Sequence, residues 1–317
     1  MGVWSFVNIF GAKISAMRLV ASAIYFALFM VLLLLVAIMP WWLLYRFSDL
    51  AAFVLRRVMR YRLDVIRSNL RCAFPNSNTT TLRQMEAEAY RNLADIAVET
   101  LKGFTMTNRS IQRRHRVLNP EMLDRFFEQG QSVIGLTAHL NNWEWGAMSA
   151  ATQLRHTPIA FYTPLSNRLI DRVIKRHRSL RGTVIEPTTN THSTFERNKN
   201  RPCIYLLVAD QSPSNLERAI WLNFLGQDTP CIHGPEKYAT LYNYPVVYID
   251  IVRKRRGFYE IELQELCEQP KALAPHELTH LYMNRVEQAI HQSPSSWLWT
   301  HRRWKRRREE LQTTTIC

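Results

Sequence analysis

The residues whose types and spacing best suit chemistry are His139 and Glu144, in the segment Thr137-Ala-His-Leu-Asn-Asn-Trp-Glu144. The apolar run at 132–137 predicts a buried strand, and the residues from 142 onward have a helical pattern. Two residues five apart in one α-helix point about 140° away from each other, so one of the pair must lie outside the helix. With Asn142 as the helix N-cap, His139 lies in the loop and Glu144 in the first turn, where its carboxylate approaches the imidazole.

A histidine held by a carboxylate takes the proton from a hydroxyl as that hydroxyl attacks an acyl carbonyl, and the carboxylate stabilises the resulting imidazolium. The segment has no Gly-x-Ser-x-Gly elbow and no cysteine beside His139, which argues against a hydrolase that acts through its own nucleophile. Spacing alone leaves a second interpretation open, in which His139 is an ordinary polar loop residue.

Two further groups of polar residues are candidates for the same site. Asp210 and Gln211 follow the apolar run 203–209, so they lie at the end of a central strand and project into a site, unless they cap a turn. Arg178 and Arg181 suit the binding of a phosphate, the polarisation of a developing oxyanion or an ion pair with Asp210. The alternative for the arginines is a solvated basic face of a helix.

The elements that must position these residues alternate between strands and helices. Short β-rich runs lie at 132–137, 157–162, 203–209, 246–253 and 258–264. Helix-like segments lie at 82–105, 142–154, 166–180, 235–242 and 275–291. This pattern predicts an α/β fold, and the short connection at 254–257 predicts a hairpin, so we expect a mixed, mostly parallel sheet flanked by helices.

An apolar, uncharged stretch at 20–45 exceeds the roughly 20 residues needed to cross a bilayer as a helix. A buried core helix normally shows a polar face, and the h-region of a signal peptide is about 7 to 15 residues long, so a membrane helix is favoured. Arginines after the stretch place the rest of the protein in the cytoplasm. Whether the helix crosses fully or returns at Pro40 stays open.

We divide the chain into an N-terminal membrane anchor (1–48), a basic amphipathic helical region (49–110) and an α/β catalytic domain (111–317). The arginines interleaved with apolar residues at 50–74 suit a helix lying on anionic lipid headgroups, and a solvated helix face is the alternative. The five cysteines form no Cys-x-x-Cys pair, which suggests neither a zinc site nor a disulfide framework. The formal net charge of +15 implies an anionic partner, whether nucleic acid, lipid or an acidic carrier protein.

Several blocks of the sequence are similar to those of one known family. The segment TAHLNNWEWGA resembles the His-x4-Asp/Glu signature of glycerolipid-type acyltransferases, in the form typical of the lipid A biosynthesis (late) acyltransferase family. Further similarity lies at 162–171 with the following Arg178 and Arg181, at Ala209-Asp210-Gln211, and at 297–305. Two details depart from the family pattern. The arginine block reads Arg178-Ser-Leu-Arg181-Gly, which leaves open which arginine has the family role, and Ser-Pro-Ser follows Gln211 in place of an acidic residue and a glycine.

The resemblance implies transfer of a fatty acyl chain from an acyl thioester, either acyl carrier protein or acyl-CoA, to a hydroxyl of a lipid A precursor. His139 would be the general base, Glu144 would orient it, Arg178 would stabilise charge, and Asp210 would organise the arginine and the acceptor. Substrate-binding residues would be Asn142, Trp143, Arg181, Gln211, His233, Arg302 and Arg303.

No metal or redox cofactor is implied by this resemblance. The expected location is the bacterial inner membrane, with the catalytic domain facing the cytoplasm. The basic tail at 301–308 would by itself suggest a nucleic-acid patch, but with a membrane helix upstream an anionic lipid or acidic carrier is the better partner. Two alternatives remain: an acyltransferase for a lysophospholipid or aminolipid, and a non-enzymatic basic protein bound to the membrane.

Overall fold

The computed structural model describes residues 3–308, with side chains described from residue 19 to residue 308. Residues 1–2 and 309–317, which we assigned to the ends of the anchor and of the catalytic domain, lie outside the described residues. The α-helices of the described range are α1 (Val3–Ile38), α2 (Trp41–Phe53), α3 (Leu63–Ala73), α4 (Thr79–Gly103), α5 (Asn108–Arg114), α6 (Asp124–Glu128), α7 (Gly146–Gln153), α8 (Arg168–Ser179), α9 (Thr191–Asn198), α10 (Gly234–Tyr242) and α11 (Glu277–Gln292).

The strands form a seven-stranded sheet and a separate two-stranded hairpin within the described residues. The strands are β1 (His115–Val117), β2 (Val133–Thr137), β3 (Thr157–Tyr162), β4 (Val184–Pro187), β5 (Cys203–Val208), β6 (Ile220–Phe224), β7 (Gln227–Cys231), β8 (Val246–Arg255) and β9 (Phe258–Cys267). The large sheet has the order β1-β9-β8-β2-β5-β3-β4 and is parallel except for the β8–β9 hairpin. The predicted mixed, mostly parallel sheet flanked by helices is confirmed.

Strand β2 lies in the middle of this sheet, and all five of its residues are buried. Such burial on both faces explains why its sequence is a continuous apolar run instead of an alternating one. Gly135 lies where a Cβ atom would be 2.7 Å from Ile249 Cδ1, so a side chain at this position would displace the end of the Ile249 side chain. The catalytic segment therefore begins at the end of the most enclosed strand.

The predicted amphipathic helix at 50–74 is wrong in one respect, because the chain breaks in its middle. Helix α2 continues into a π-helical turn at Val54–Val58, and Arg60 and Arg62 then both have φ of 50° before α3 begins. Left-handed backbone at two non-glycine residues interrupts the helical hydrogen bonds and redirects the chain. Two helices replace the single one, and Arg56 before the break and Arg67 after it pair with the same carboxylate, that of Glu86.

The β6–β7 hairpin and strands β1 and β4 were not predicted. Strand β7 reads Gln-Asp-Thr-Pro-Cys, without the alternation of apolar and polar residues that marks a strand. Its tight turn uses Leu225 and Gly226, both with positive φ, where the expected sequence signal is Asn-Gly.

Helix α1 contains the stretch Leu19–Ile38, which is long and apolar enough to cross a membrane and is 11% buried. The helix ends before Pro40, and α2 starts directly after it at Trp41. Lys102 at the end of α4 holds this junction, since its Nζ donates to the carbonyl oxygens of Val36, Ala37 and Met39 at 2.8–2.9 Å. A cation at a helix C-terminus satisfies otherwise unpaired carbonyls and complements the helix dipole.

Replacing Lys102 by methionine removes the cation and its three hydrogen bonds while keeping the aliphatic stem. We expect Lys102→Met to lower the free energy of unfolding by about 1 to 2 kcal/mol, because charge-assisted hydrogen bonds are lost at a partly exposed site. Thermal unfolding of the full chain in detergent measures this. Lys254→Met, which removes an exposed ion pair with Glu260, is the control. Equal midpoints for the two variants would contradict the assigned role of Lys102.

Candidate active site

The predicted site residues meet where two neighbouring parallel strands end. β2 pairs with β5 from Val133–Ile204 to Thr137–Val208, so both strands reach the same edge of the sheet together. His139 follows β2 and Asp210 follows β5 by two residues each. The carboxyl ends of adjacent parallel strands place following side chains close together, which explains how residues 71 positions apart come into contact.

His139 is held by Asp210 through two hydrogen bonds. His139 Nδ1 lies 2.7 Å from Asp210 Oδ1, and the His139 backbone N–H donates to Asp210 Oδ2 at 3.1 Å. Trp297 Nε1 donates to the same Oδ2 atom at 2.7 Å. The Asp210 side chain is 1% exposed and the His139 side chain 18% exposed, so the carboxylate is buried behind an imidazole whose far edge is accessible.

In the His139–Asp210 pair, each residue stabilises the charged form of the other and so shifts its pKa. Burial lowers the pKa of His139, but the negative charge and hydrogen bond of Asp210, with a smaller contribution from the Glu144 charge, outweigh it and raise the pKa above 6.5. Burial raises the pKa of Asp210, but the charge of His139 and the hydrogen bonds from His139 and Trp297 outweigh it and lower the pKa to about 2. Asp210 is thus ionised at neutral pH and fixes the Nδ1–H tautomer of His139.

The loop after β2 and the helical turn that carries Glu144 have the predicted conformation. The Asn142 side chain caps the helix start by accepting from Trp145 N at 3.2 Å, and Glu144 lies in the 3-10 turn Trp143–Trp145 that precedes α7. The partners of the acidic residues differ from the expectation. Glu144 forms an ion pair with Arg178, whereas the carboxylate on His139 belongs to Asp210. The predicted orienting role of Glu144 and the predicted Asp210–arginine contact are therefore corrected.

Gln211 contacts the accessible edge of the imidazole. Its Nε2 lies 3.2 Å from His139 Nε2. Because Nδ1 carries the proton toward Asp210, Nε2 has a free lone pair, and the Gln211 amide donates to it. A substrate hydroxyl that gives its proton to His139 must take the place of this amide.

On the buried side of the loop, Asn142 is held by residues that were not predicted from the sequence. Its Nδ2 donates to Glu99 Oε2 at 2.7 Å, and Tyr45 and Tyr259 donate to the same carboxylate at 2.9 and 2.7 Å. Burial raises the pKa of Glu99 even against these three donors. Asn142 is thus buried and acts as a support, which corrects its predicted contact with substrate.

His115 is a second support that sequence reasoning missed. Its Nε2 lies 3.0 Å from the Asn142 carbonyl oxygen and its Nδ1 2.8 Å from Ser149 Oγ. Burial lowers its pKa to about 3, with the Asn142 hydrogen bond opposing, so the ring is neutral. The signal available in the sequence was weak, because both Glu99 and His115 are isolated polar residues far from the motif.

The C-terminal block at 297–305 forms a strap across the catalytic loop. Leu298 N donates to the His139 carbonyl oxygen at 3.0 Å, and Asn141 N donates to the Ser296 carbonyl oxygen at 3.0 Å. Arg303 is fully buried and donates to the Pro230 carbonyl oxygen at 2.8 Å, so it holds the β6–β7 hairpin and does not face substrate, contrary to the prediction. Arg302 is exposed, and its substrate contact stays a prediction.

Other predicted residues take varied positions. Trp143 lines the cavity beside His139, with ring centroids 5.0 Å apart. Arg181 lies on the far side of α7 and donates to the Met106 carbonyl oxygen and to Asn108 Oδ1, so the structure uses it to hold the loop before α5. His233 occupies the N-cap position of α10, next to cavity-lining Gly234. Of the two candidate arginines, Arg178 is the one that lines the cavity.

A cavity of about 720 Å³ opens at these residues. Its polar lining includes His139, Glu144, Arg178 and Gln211. Its apolar wall is formed by side chains from β1, β5, β8, β9, α7 and the loop after α7: Val117, Leu206, Ile249, Ile251, Ile261, Leu263, Ala150 and Leu154. A long apolar group can therefore lie in the cavity with its polar end at His139.

An imidazole held by a buried carboxylate at the edge of a largely apolar cavity, on a mixed α/β sheet, is an arrangement that suits the transfer of acyl chains. The comparison with known proteins agrees: the chain belongs to the bacterial lipid A biosynthesis acyltransferase family, whose model matches residues 12–306. It is an acyltransferase.

Individual relatives are distant but cover most of the chain. It is 23% identical over 258 residues to the lipid A biosynthesis palmitoleoyltransferase of Escherichia coli (strain K12), covering 80% of this chain and 81% of that protein. The lipid A biosynthesis acyltransferase of Shigella flexneri shows the same values. The lipid A biosynthesis lauroyltransferase of Escherichia coli (strain K12) is 23% identical over 278 residues, covering 87% and 89%.

The His139–Asp210 pair predicts a specific pH dependence. A general base must be deprotonated, so the wild-type kcat/KM falls as pH drops through the raised pKa of His139. Asp210→Asn removes the charge that raises this pKa, so the acid limb of the profile should move to lower pH. The rate should also fall by about 10³- to 10⁴-fold, because the tautomer is no longer fixed.

The pH–rate profile of acyl transfer checks both effects. Asp64→Asn, at an exposed carboxylate of α3, is the control and should keep the wild-type profile. An acid limb that stays in place in Asp210→Asn would mean that Asp210 does not set the His139 pKa.

Proposed function

We propose that this acyltransferase moves a fatty acyl chain from acyl carrier protein to a hydroxyl of a lipid A precursor. The observation that carries the proposal is the His139–Asp210 pair at the mouth of the apolar cavity, with Nε2 of His139 directed toward the opening. The relatives are named for lipid A biosynthesis, which favours this acceptor over a lysophospholipid or an aminolipid. Membership in an enzyme family removes the non-enzymatic alternative.

In the proposed reaction, the acceptor hydroxyl displaces the Gln211 amide from His139 Nε2. The hydroxyl oxygen attacks the thioester carbonyl carbon as its proton passes to Nε2, and Asp210 stabilises the imidazolium. The tetrahedral intermediate then collapses with cleavage of the C–S bond, and His139 returns the proton to the leaving thiolate. The new ester and a free thiol balance the reaction without a covalent enzyme intermediate.

Arg178 supplies positive charge beside this reaction. Its ion pair with Glu144 orients the guanidinium at the cavity wall, and both side chains are about one quarter exposed. A fixed guanidinium stabilises the developing oxyanion or a phosphate of the acceptor. In this proposal Glu144 acts through Arg178.

The donor assignment rests on charge near the cavity. Arg168, Arg172 and Arg176 are exposed on α8, at positions four residues apart that share one face of the helix. α8 also carries Arg178, which lines the cavity. A basic stripe on the helix that carries Arg178 suits an acidic carrier protein better than a free nucleotide thioester, because it extends along about two helical turns.

The proposed location is the bacterial inner membrane, with the catalytic domain at the cytoplasmic face. Helix α1 supports membrane association, and the arginines after it support this orientation. The C-terminal basic run supports a partner other than nucleic acid, since Arg308 is paired with Asp228 on the β6–β7 hairpin at 2.8 Å and Arg303 is buried.

The function is tested by lipid mass spectrometry of cells and by assay of the purified enzyme. His139→Ala should abolish transfer to the acceptor, because Nε2 of His139 is the atom that takes the hydroxyl proton in this mechanism. The purified enzyme should use acyl carrier protein thioesters faster than CoA thioesters. A control, His192→Ala, replaces an exposed histidine on α9. Wild-type turnover in His139→Ala would reject the mechanism, and equal use of both donors would reject the carrier assignment.

The cavity predicts the length of the transferred chain. Ala150 is 5% exposed and contributes to the cavity wall from α7. Ala150→Phe should fill part of the cavity and shift donor preference to shorter acyl chains, with Ala150→Val intermediate. Competition between thioesters of different length, with product masses as the measurement, checks this. Ala272→Phe, at an exposed site outside the cavity, should keep the wild-type preference. Unchanged product lengths in Ala150→Phe would place the acyl chain elsewhere.

A further inference from the structure

A second large cavity, of about 830 Å³, lies on the other side of the catalytic loop. We call it the rear groove. Its walls come from α2 and the π turn, α4, the β8–β9 hairpin and the segment before the C-terminal strap. The lining residues used below are Phe53, Arg56, Arg57, Arg91, Arg253 and Arg256. Asn141, with φ of 52° and two residues from His139, also lines it.

Five arginines line the rear groove, and three of them are already neutralised. Arg56 pairs with Glu86 at 2.8 Å, Arg253 with Asp95 at 2.5 Å, and Arg256 with Asp49 and Asp95 at 2.6 and 2.7 Å.

The other two arginines differ from these. Arg57 and Arg91 are exposed, and within residues 19–308 no carboxylate or carbonyl partner holds either guanidinium. They come from different elements, the π turn and α4, and line the same groove. Two unpaired guanidiniums that line the same groove make a site for an anion that accepts several hydrogen bonds, such as a phosphate.

The neighbourhood of the groove points to a lipid as the source of that phosphate. Phe53 lines the groove and is 58% exposed. The same helix and the π turn expose further large apolar side chains: Trp42, Phe47, Leu50, Val58 and Met59. This apolar surface follows the end of α1 after a single break at Pro40, so it lies at the level where the membrane helix meets the headgroup region.

The polar lining of the groove suits the rest of a glycerolipid headgroup. Ser293 and Ser295 line it and present hydroxyl groups, which bond readily to a second hydroxyl or an ester oxygen. The π turn that carries Arg56 and Arg57 is closed by Met59 N donating to the Val54 carbonyl oxygen at 2.9 Å. Single π turns occur frequently at functional sites.

We propose that the rear groove binds the headgroup of an anionic glycerophospholipid of the surrounding leaflet, with its phosphate between Arg57 and Arg91. The bound lipid is neither donor nor acceptor of the acyl chain, because the groove is separated from the apolar cavity by the catalytic loop. The proposal rests on membrane association and not on the proposed acyl transfer.

Direct binding to the full-length protein, delipidated in detergent and without any acyl donor, tests the site. Dihexanoyl phosphatidylglycerol is titrated and followed by calorimetry, with dihexanoyl phosphatidylcholine, glycerol phosphate and a phosphorylated lipid A precursor as parallel ligands. We expect phosphatidylglycerol to bind best, and Arg57→Ala with Arg91→Ala to weaken it by about tenfold or more, since charge-assisted hydrogen bonds are lost. Arg57→Lys with Arg91→Lys keeps the charge and should weaken it less.

The matched control is Arg109→Ala with Arg116→Ala, which removes two exposed arginines outside the groove. Equal weakening in both double variants would reduce the effect to overall charge and overturn the site. Glycerol phosphate binding as tightly as phosphatidylglycerol would identify a free-anion site, and phosphatidylcholine binding as tightly would identify apolar contact alone. Preferred binding of the lipid A precursor, lost in the same variant, would assign the groove to the acceptor. Each of these outcomes overturns the proposal, and none depends on whether acyl transfer is observed.

Discussion

The buried carboxylate of Asp210 constrains the whole site. Removing an ionised carboxylate from water costs several kcal/mol, so it is tolerated only where donors surround it. The donors here are the ring and backbone N–H of His139 and the indole N–H of Trp297. They come from the loop after β2 and from the C-terminal strap, while Asp210 itself follows β5. Three distant segments must therefore assemble before the charge is satisfied, and the base is positioned as a result.

A second buried carboxylate supports the same loop from behind. Glu99 on α4 accepts from Tyr45 on α2, Tyr259 on β9 and Asn142 in the loop. Because α4 also holds the end of α1 through Lys102, one helix joins the membrane-proximal junction to the catalytic loop. The cavity wall, His139 and the apolar helix α1 are thus held by one set of contacts, as expected for an acyltransferase whose acceptor is a lipid.

Features that depend on residues close together in the chain could be predicted from the sequence. Helix geometry required His139 to lie outside the helix, and the choice of Asn142 as N-cap is confirmed by its bond to Trp145 N. The fold class followed from the alternation of runs, although β1, β4 and the β6–β7 hairpin were missed because they are short and carry little periodicity. The domain boundaries at 48 and 110 stay a prediction.

Contacts between segments that lie far apart in the chain could not be predicted from local sequence patterns. The partner of His139 depends on β2 lying beside β5, an adjacency that no local pattern encodes, so the nearer Glu144 was chosen. Asn142 and Arg303 lie in sequence motifs of the family, so they were predicted to contact substrate. In the structure both side chains are buried and support neighbouring segments instead. Glu99 and His115 belong to no sequence motif. Their role follows only from the folded structure, in which both hold Asn142 of the catalytic loop.

Asp210 contacts His139 whereas Glu144 contacts Arg178, and this difference in partners has a chemical consequence. Had both Asp210 and Glu144 contacted His139, two negative charges would have raised its pKa further and disfavoured the deprotonated form that a base requires. Pairing Glu144 with Arg178 neutralises the second charge while leaving it close enough to contribute a small rise. The same pair keeps a guanidinium at the cavity mouth. Asp210 thus raises the pKa of His139 and Glu144 positions the Arg178 guanidinium, so in the proposed mechanism a single loop serves both proton transfer and charge stabilisation.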